Sequence, residues 1–182
     1  MQSIPAALVG SRKAARFGFL SVEVETYRFD EGDEFERIVI RHPGAVAVVP
    51  VLDDGVVLMR QFRAPLRTMV LEIPAGKLDV DGEPPSRAAA RECEEETGYR
   101  PGRIEYLRTI HTTPGFTDER IELFLATELV EVGARPQGAE EQHAEIIHMT
   151  FAELRSAMAA GSITDAKTLL ALNDVLARYN VE

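Results

Sequence analysis

The stretch "GEPPSRAAARECEEETGY", residues 82–99, reads as one helix with both ends marked. Pro84 and Pro85 suit the first helical positions, where a missing N–H costs little, and Gly98 supplies the C-terminal cap after a run of good helix formers. Glu92, Glu94, Glu95 and Glu96 crowd into the five positions just before that end, where the helix already carries partial negative charge. At spacings of three and four, Glu92, Glu95 and Glu96 share one face, while Glu94 points elsewhere. No Lys or Arg follows within the helix, so the crowding costs roughly 1–2 kcal/mol unless a cation relieves it. A solvated acidic face, with Arg91 as partial counter-charge, would account for the same residues. A hard divalent ion is the sharper account, because Mg²⁺ takes oxygen ligands and works through a few carboxylates together with substrate phosphates.

Outward from this helix, alternating apolar and polar residues place strands. "FGFLSVEVETYRF" (17–29) and "FERIVIRH" (35–42) read as a hairpin. "AVAVVPVL" (45–52) and "VVLMRQF" (56–62) flank Asp53-Asp54-Gly55, and Asp-Gly between β-branched runs predicts a second hairpin. Further strands are predicted at 69–76, 103–111 and 120–129, the last two joined by the loop "TTPGFTDE". Residues 131–145 are polar and read as loop. A short strand "IIHM" then leads to helices near 151–160 and 165–179, the second with Leu169, Leu172, Val175, Leu176 and Tyr179 on one face. Many strands, one acidic helix in mid-chain and helices at the end describe an α+β chain, layered as an α/β/α sandwich.

Composition narrows the function classes. The 182 residues suit one domain with a sizeable core and room for an appendage. With 45% hydrophobic and 27% charged residues the chain matches soluble globular proteins, and its longest apolar run is too short to cross a bilayer. Basic residues follow the first short apolar stretch, the reverse of a secretory signal, so a cytoplasmic location is expected. The single cysteine, Cys93, excludes an internal disulfide and a thiolate zinc cluster, and the four histidines show no cage-like spacing. A net charge of −10 without a basic stripe argues against nucleic acid as a partner. A small anionic ligand would need a bound cation.

The segment "GKLDVDGEPPSRAAARECEEETGY" (76–99) resembles the Nudix box: G, five residues, E, seven residues, then R-E-U-x-E-E-x-G-U, with U bulky and apolar. Glu83, Arg91, Glu92, Glu95, Glu96 and Gly98 fall in register, and Cys93 and Tyr99 take the U positions. One departure is visible, since six residues rather than five separate Gly76 from Glu83; lying ahead of the helix, the extra residue should alter the loop path and leave the carboxylates in place. "HPGAVAVVPV", "RQFR", "LEIPAGK", "TPGFTDE" and "ITDAKTLLAL" extend the resemblance to the ADP-ribose pyrophosphatase group of that family, with Pro114 at the position diagnostic for the group.

The resemblance implies a Nudix-type sandwich with a mixed sheet over residues 44–182, and a small N-terminal β-strand region over 1–43 that pairs with a second subunit in a homodimer and helps bind adenosine. It implies Mg²⁺, with Mn²⁺ as a substitute, held by Glu92 and Glu96 with Glu95 as ligand or water-holder and the Ala75 carbonyl as a further ligand. Arg91 and Glu83 would orient the helix and the loop. A carboxylate of the late loop "GAEEQHAE" would act on the attacking water, with Glu140 and Glu141 as candidates and Glu145 third. For substrate contact the resemblance points to Arg63, Glu72 and Phe116. Surface ion pairing for Arg63, Arg60 and Glu72, loop anchoring for Phe116, simple packing for Cys93 and a helix-start contact for Lys167 stand as structural alternatives. The implied activity is hydrolysis of the diphosphate of ADP-ribose to AMP and ribose 5-phosphate. Another nucleoside diphosphate derivative as substrate, or a nucleotide-sensing module without catalysis, are the alternatives, and the second is disfavoured because no family glutamate is lost. No membrane partner is expected.

Overall fold

The computed structural model describes residues 5–136, 138 and 140–179. The outer ends of the two expected domains, 1–4 and 180–182, and Ala139 of the late loop lie outside the described residues. The chain divides into two compact units, one running to Gly44 and including His111–Arg120, the other comprising Ala45–Ile110 and the chain from Ile121 onward. The segment 111–120, which the sequence assigns to the second unit, thus belongs with the N-terminal strands.

In the first unit, β1 (Ala6–Phe17), β2 (Leu20–Phe29) and β3 (Glu34–Arg41) form an antiparallel meander in that order. The β2–β3 hairpin matches the sequence expectation. Strand β1 does not, because "AALVGSRKAARF" lacks period-two alternation and gives no strand signal of its own; it is drawn into the sheet by pairing with β2. The 111–120 segment is fastened to β3. The Ile40 amide donates to the Phe116 carbonyl at 2.8 Å, and Arg41 reaches Asp118 at 3.0 Å while also pairing with Glu25, a carboxylate only 1% exposed. Tyr27, Phe35, Ile38, Pro114 and Phe116 line an open groove of about 480 Å³ in this unit.

The second unit holds a mixed four-stranded sheet in the order β7 (Ala75–Lys77), β4 (Ala45–Pro50), β9 (Arg120–Glu131), β8 (Tyr99–His111), with β4 parallel to β9 and antiparallel to β7. A second, antiparallel sheet runs β10 (Glu145–Thr150), β5 (Gly55–Arg63), β6 (Thr68–Glu72). Helices α1 (Pro85–Thr97), α2 (Phe151–Ala159) and α3 (Ala166–Arg178) complete it. All six residues of β4 are buried, and its alternation sorts them into two cores. Val46 and Val48 meet Ala88, Ala89 and Cys93 of α1, where small side chains let the helix approach closely. Ala45, Ala47 and Val49 meet Ile73, Leu58, Leu154, Leu172 and Val175 on the other side, beneath the second sheet, α2 and α3.

Two sequence expectations change here. Asp53-Asp54-Gly55 does turn the chain, with the Leu52 amide donating to the Gly55 carbonyl at 2.9 Å, but the flanking strands diverge into different sheets after one bridge between Val51 and Val56. Gly55 is needed for space: a Cβ there would stand 2.2 Å from the Met149 carbonyl oxygen of β10. The single strand predicted over 69–76 is two, β6 and β7, broken at Ile73-Pro74 so that each half joins its own sheet. That break delivers Ala75 and Gly76 to the end of α1.

Candidate active site

Helix α1 starts at Pro85 and ends where Gly98 turns into the left-handed region, φ +79°, its amide donating to the Glu94 carbonyl at 2.9 Å. A side chain at that φ would be strained, so the cap fixes where the last turn stops. With Ala88, Ala89 and Cys93 committed to the core, Glu92, Glu95 and Glu96 emerge along the flank beside β7. Glu94 leaves the group, as its spacing predicts, and pairs with Arg100 at 2.7 Å on the surface.

Glu96 is 6% exposed, and the hydrogen bond recorded for its carboxylate comes from the Ala75 amide, 2.9 Å to Oε2. Burial above all, then the charges of Glu92 and Glu141, push its carboxyl up to about 8, against the pull of the Ala75 amide and Arg63. Burial raises Glu92 too, with Arg91 opposing. The Glu92 carboxylate lies directly on the Gly76 backbone: a Cβ on residue 76 would fall 2.0 Å from Cδ and Oε1 of Glu92. No side chain fits between residue 76 and Glu92, so glycine is required here whatever the length of the loop that follows.

Arg91 ties the turn to the preceding loop. Its guanidinium donates to Glu83 at 2.9 and 3.2 Å, to Glu92 at 2.7 Å and to Glu95 at 3.1 Å. This is the orienting contact expected between Arg91 and Glu83. As placed, no three His, Cys, Asp or Glu side chains among the described residues are arranged to hold one metal ion, because Glu92 and Glu95 both turn to Arg91. Ala75, expected as a ligand through its carbonyl, meets Glu96 through its amide.

The late-loop candidates separate. Glu141 opens a short 3₁₀ turn, Glu141–His143, accepts the Gly138 amide at 2.9 Å, and its charge is felt at both Glu92 and Glu96. Glu140, the residue before it, is exposed. Glu145 is opposite Arg60 on β10 and pairs with it at 3.3 Å, an exposed contact of small energetic weight. Arg60 is thereby a surface partner.

Arg63 and Glu72 are together, the carboxylate buried and the guanidinium partly open to solvent. Glu72 is 2% exposed; its Oε1 accepts Arg63 Nε at 2.6 Å and its Oε2 accepts Arg63 Nη2 at 2.6 Å. Lys167 donates to the same Oε2 and also to Asp165 at 3.0 Å. Glu72, expected to accept from adenine or ribose, thus has both oxygens committed to cations. A helix-start contact, the structural alternative for Lys167, understates it: only 8% exposed, it bridges the start of α3 to β6. Asp165 caps α3, accepting the Thr168 amide at 2.9 Å and its hydroxyl at 2.6 Å, and Thr168 Oγ1 accepts the Ile73 amide at 3.0 Å. The chain segment carrying Ala75 is thus held by α3 at Ile73 and by α1 at Ala75. Phe116 belongs to the other unit, where its ring is half exposed beside the groove.

Residues 41–172 match the family model of the NUDIX domain. The chain belongs to the Nudix family. Nudix hydrolases depend on divalent metal ions as a group. An ADP-ribose pyrophosphatase of Bacillus subtilis is 34% identical over 173 residues, 94% of this chain and 93% of that protein. A methanol dehydrogenase activator of Bacillus methanolicus is 36% identical over 154 residues, 84% of this chain and 83% of that one. In fold, the chain is similar to a crystal structure of an ADP compounds hydrolase, with a TM-score of 0.85 at 21% identity over 98% of each chain. The α+β architecture and the family resemblance read from the motif both hold.

Proposed function

We propose that this Nudix chain hydrolyses the diphosphate of ADP-ribose to AMP and ribose 5-phosphate, with Mg²⁺ or Mn²⁺ held by Glu92, Glu95 and Glu96 and the Ala75 carbonyl. The observation that carries this reading is Glu96: a carboxylate buried at the end of a helix, beside two more, with a backbone amide as its recorded donor and no ion-paired cation among the described residues. All the donors are carboxylate or carbonyl oxygens, which suits a hard divalent ion. Such an ion offsets phosphate charge and polarises water. As ligands, Glu92 and Glu95 would have to give up their bonds to Arg91, which would still hold Glu83 through two bonds and so keep the loop on the helix. Glu141 accepts the proton of the attacking water, since among the loop candidates its charge is the one felt at Glu92 and Glu96. Arg63 presents a guanidinium, partly open to solvent, to a substrate phosphate.

The relative from Bacillus subtilis, alike over nearly its whole length, supports ADP-ribose over other nucleoside diphosphates. The N-terminal unit, with Leu8, Val9, Phe17, Phe19 and Ile38 exposed, supports the reading of residues 1–43 as a dimerisation region in a homodimer; a cytoplasmic location is part of the same reading. The test is direct. Purified protein incubated with ADP-ribose and Mg²⁺ should release AMP and ribose 5-phosphate in equal amounts, and EDTA should stop it. A panel in which a nucleotide sugar or dinucleotide gives a higher kcat/KM than ADP-ribose would replace the substrate; no cleavage of any diphosphate would end the proposal.

A further inference from the structure

Resting on the reading of Arg63 as a phosphate contact, we infer that Lys167 is a positioning residue: it keeps Glu72 neutralised so that Arg63 can leave that carboxylate and grip the substrate diphosphate with two N–H groups. The four charges form a chain, Arg63–Glu72–Lys167–Asp165, closed by ion pairs at each step. Exposure along it is uneven: the side chains are 36%, 2%, 9% and 21% accessible in that order. Arg63 is the open end and Glu72 the sealed centre. Arg63 also stands where it can serve the acidic cluster, since its charge and that of Glu96 act on one another.

A buried carboxylate stripped of its last cation is strongly destabilised. If Glu72 had Arg63 alone, departure of the guanidinium toward a phosphate would leave that state behind, and the cost would be subtracted from substrate binding. With Lys167 on Oε2, Glu72 stays paired whichever way Arg63 turns. Asp165 in turn holds Lys167 and is itself fixed as the cap of α3. In the paired state Arg63 spends Nε and Nη2 on Glu72, leaving Nη1 with no partner among the described residues as the atom that first meets an anion.

The experiment is a set of steady-state measurements with ADP-ribose and Mg²⁺ on the native chain, Lys167→Met, Glu72→Gln and the double variant, with far-UV circular dichroism and Tm as checks of folding. Lys167→Met, which locks Arg63 onto Glu72, should raise KM roughly 10- to 100-fold, the weight of a charged hydrogen-bond pair, and change kcat less than about 3-fold. Removing the buried charge as well should bring KM of the double variant back to within about 3-fold of Glu72→Gln alone. That recovery is what a merely structural lysine would not give. An unchanged KM in Lys167→Met, or a double variant worse than either single one, would overturn the role. If Lys167→Met does not fold, the comparison of Glu72→Gln with the double variant decides, and a KM difference above about 10-fold overturns it. A native chain with no turnover would take down the functional reading too, whereas an active native chain with a failed Lys167 test takes down this inference alone.

Discussion

Two buried carboxylates of the same unit, Glu72 and Glu96, are almost equally hidden, 2% and 6% exposed, and are treated in opposite ways. Glu72 has an arginine and a lysine on its two oxygens. Glu96 has a backbone amide and two neighbouring carboxylates whose charge opposes its own ionisation. The first site is complete within the chain and needs nothing more; the second is in deficit by a positive charge. A protein that solves the same problem fully at one position and leaves it open at another points to a site meant to be completed by something from outside. Under the function proposed above, that something is a divalent cation, and the diphosphate follows it.

The largest test of this contrast is Glu96→Gln. With shape kept and charge removed, kcat should fall on the order of 100-fold or more at saturating Mg²⁺, measured by AMP release. The same variant should unfold at a higher temperature than the native chain when both are metal-free at pH 8, because the amide ends the cost of ionising a buried group.

Next comes pH. The folded-state pKa of Glu96, about 8, is above its ordinary value of 4.5, so between those values the folded state binds more protons than the unfolded one and stability falls as pH rises. Metal-free protein should lose several degrees of Tm between pH 5 and pH 8, and added Mg²⁺ should raise Tm more at pH 8 than at pH 6, where it must displace a proton. A flat calorimetric profile in EDTA would contradict the contrast. The smallest effect belongs to Glu94→Gln, on the same helical turn but paired with Arg100 on the surface. It should leave kcat, KM and Tm at native values, separating the turn's acidity in general from the three residues proposed as ligands.

Much of this was legible in the sequence because it is local. Spacing along one helix is enough to group Glu92, Glu95 and Glu96 and to exclude Glu94, and Gly98 and the paired prolines mark the ends of that helix. Arg91 and Glu83, eight residues apart, meet as the motif implies. What stayed hidden is what distance in sequence conceals. Lys167 and Glu72 are 95 residues apart, and nothing in "ITDAKT" or "LEIPAG" taken singly announces that they pair. Strand β1 could not be read from its own residues because its partner supplies the order. The hairpin signal at Asp54-Gly55 was sound as a turn and misleading as a sheet, since Gly55 answers to the nearby backbone of β10 rather than to its own loop.

One detail of α1 bears on how this enzyme family can vary. Gly76 is pressed against Glu92, and Glu83 is clasped by Arg91, so the two ends of the intervening stretch are moored to consecutive residues of a single helix. Its length is then only weakly coupled to the carboxylates: lengthening a loop whose ends are already fixed costs little entropy. The extra residue between Gly76 and Glu83 is accommodated for that reason; Lys77 is paired with β4 and Leu78 packs on the helix-side core, so the exposed residues 79–82 are where the chain can accept insertions or a fused peptide with the acidic turn left in place.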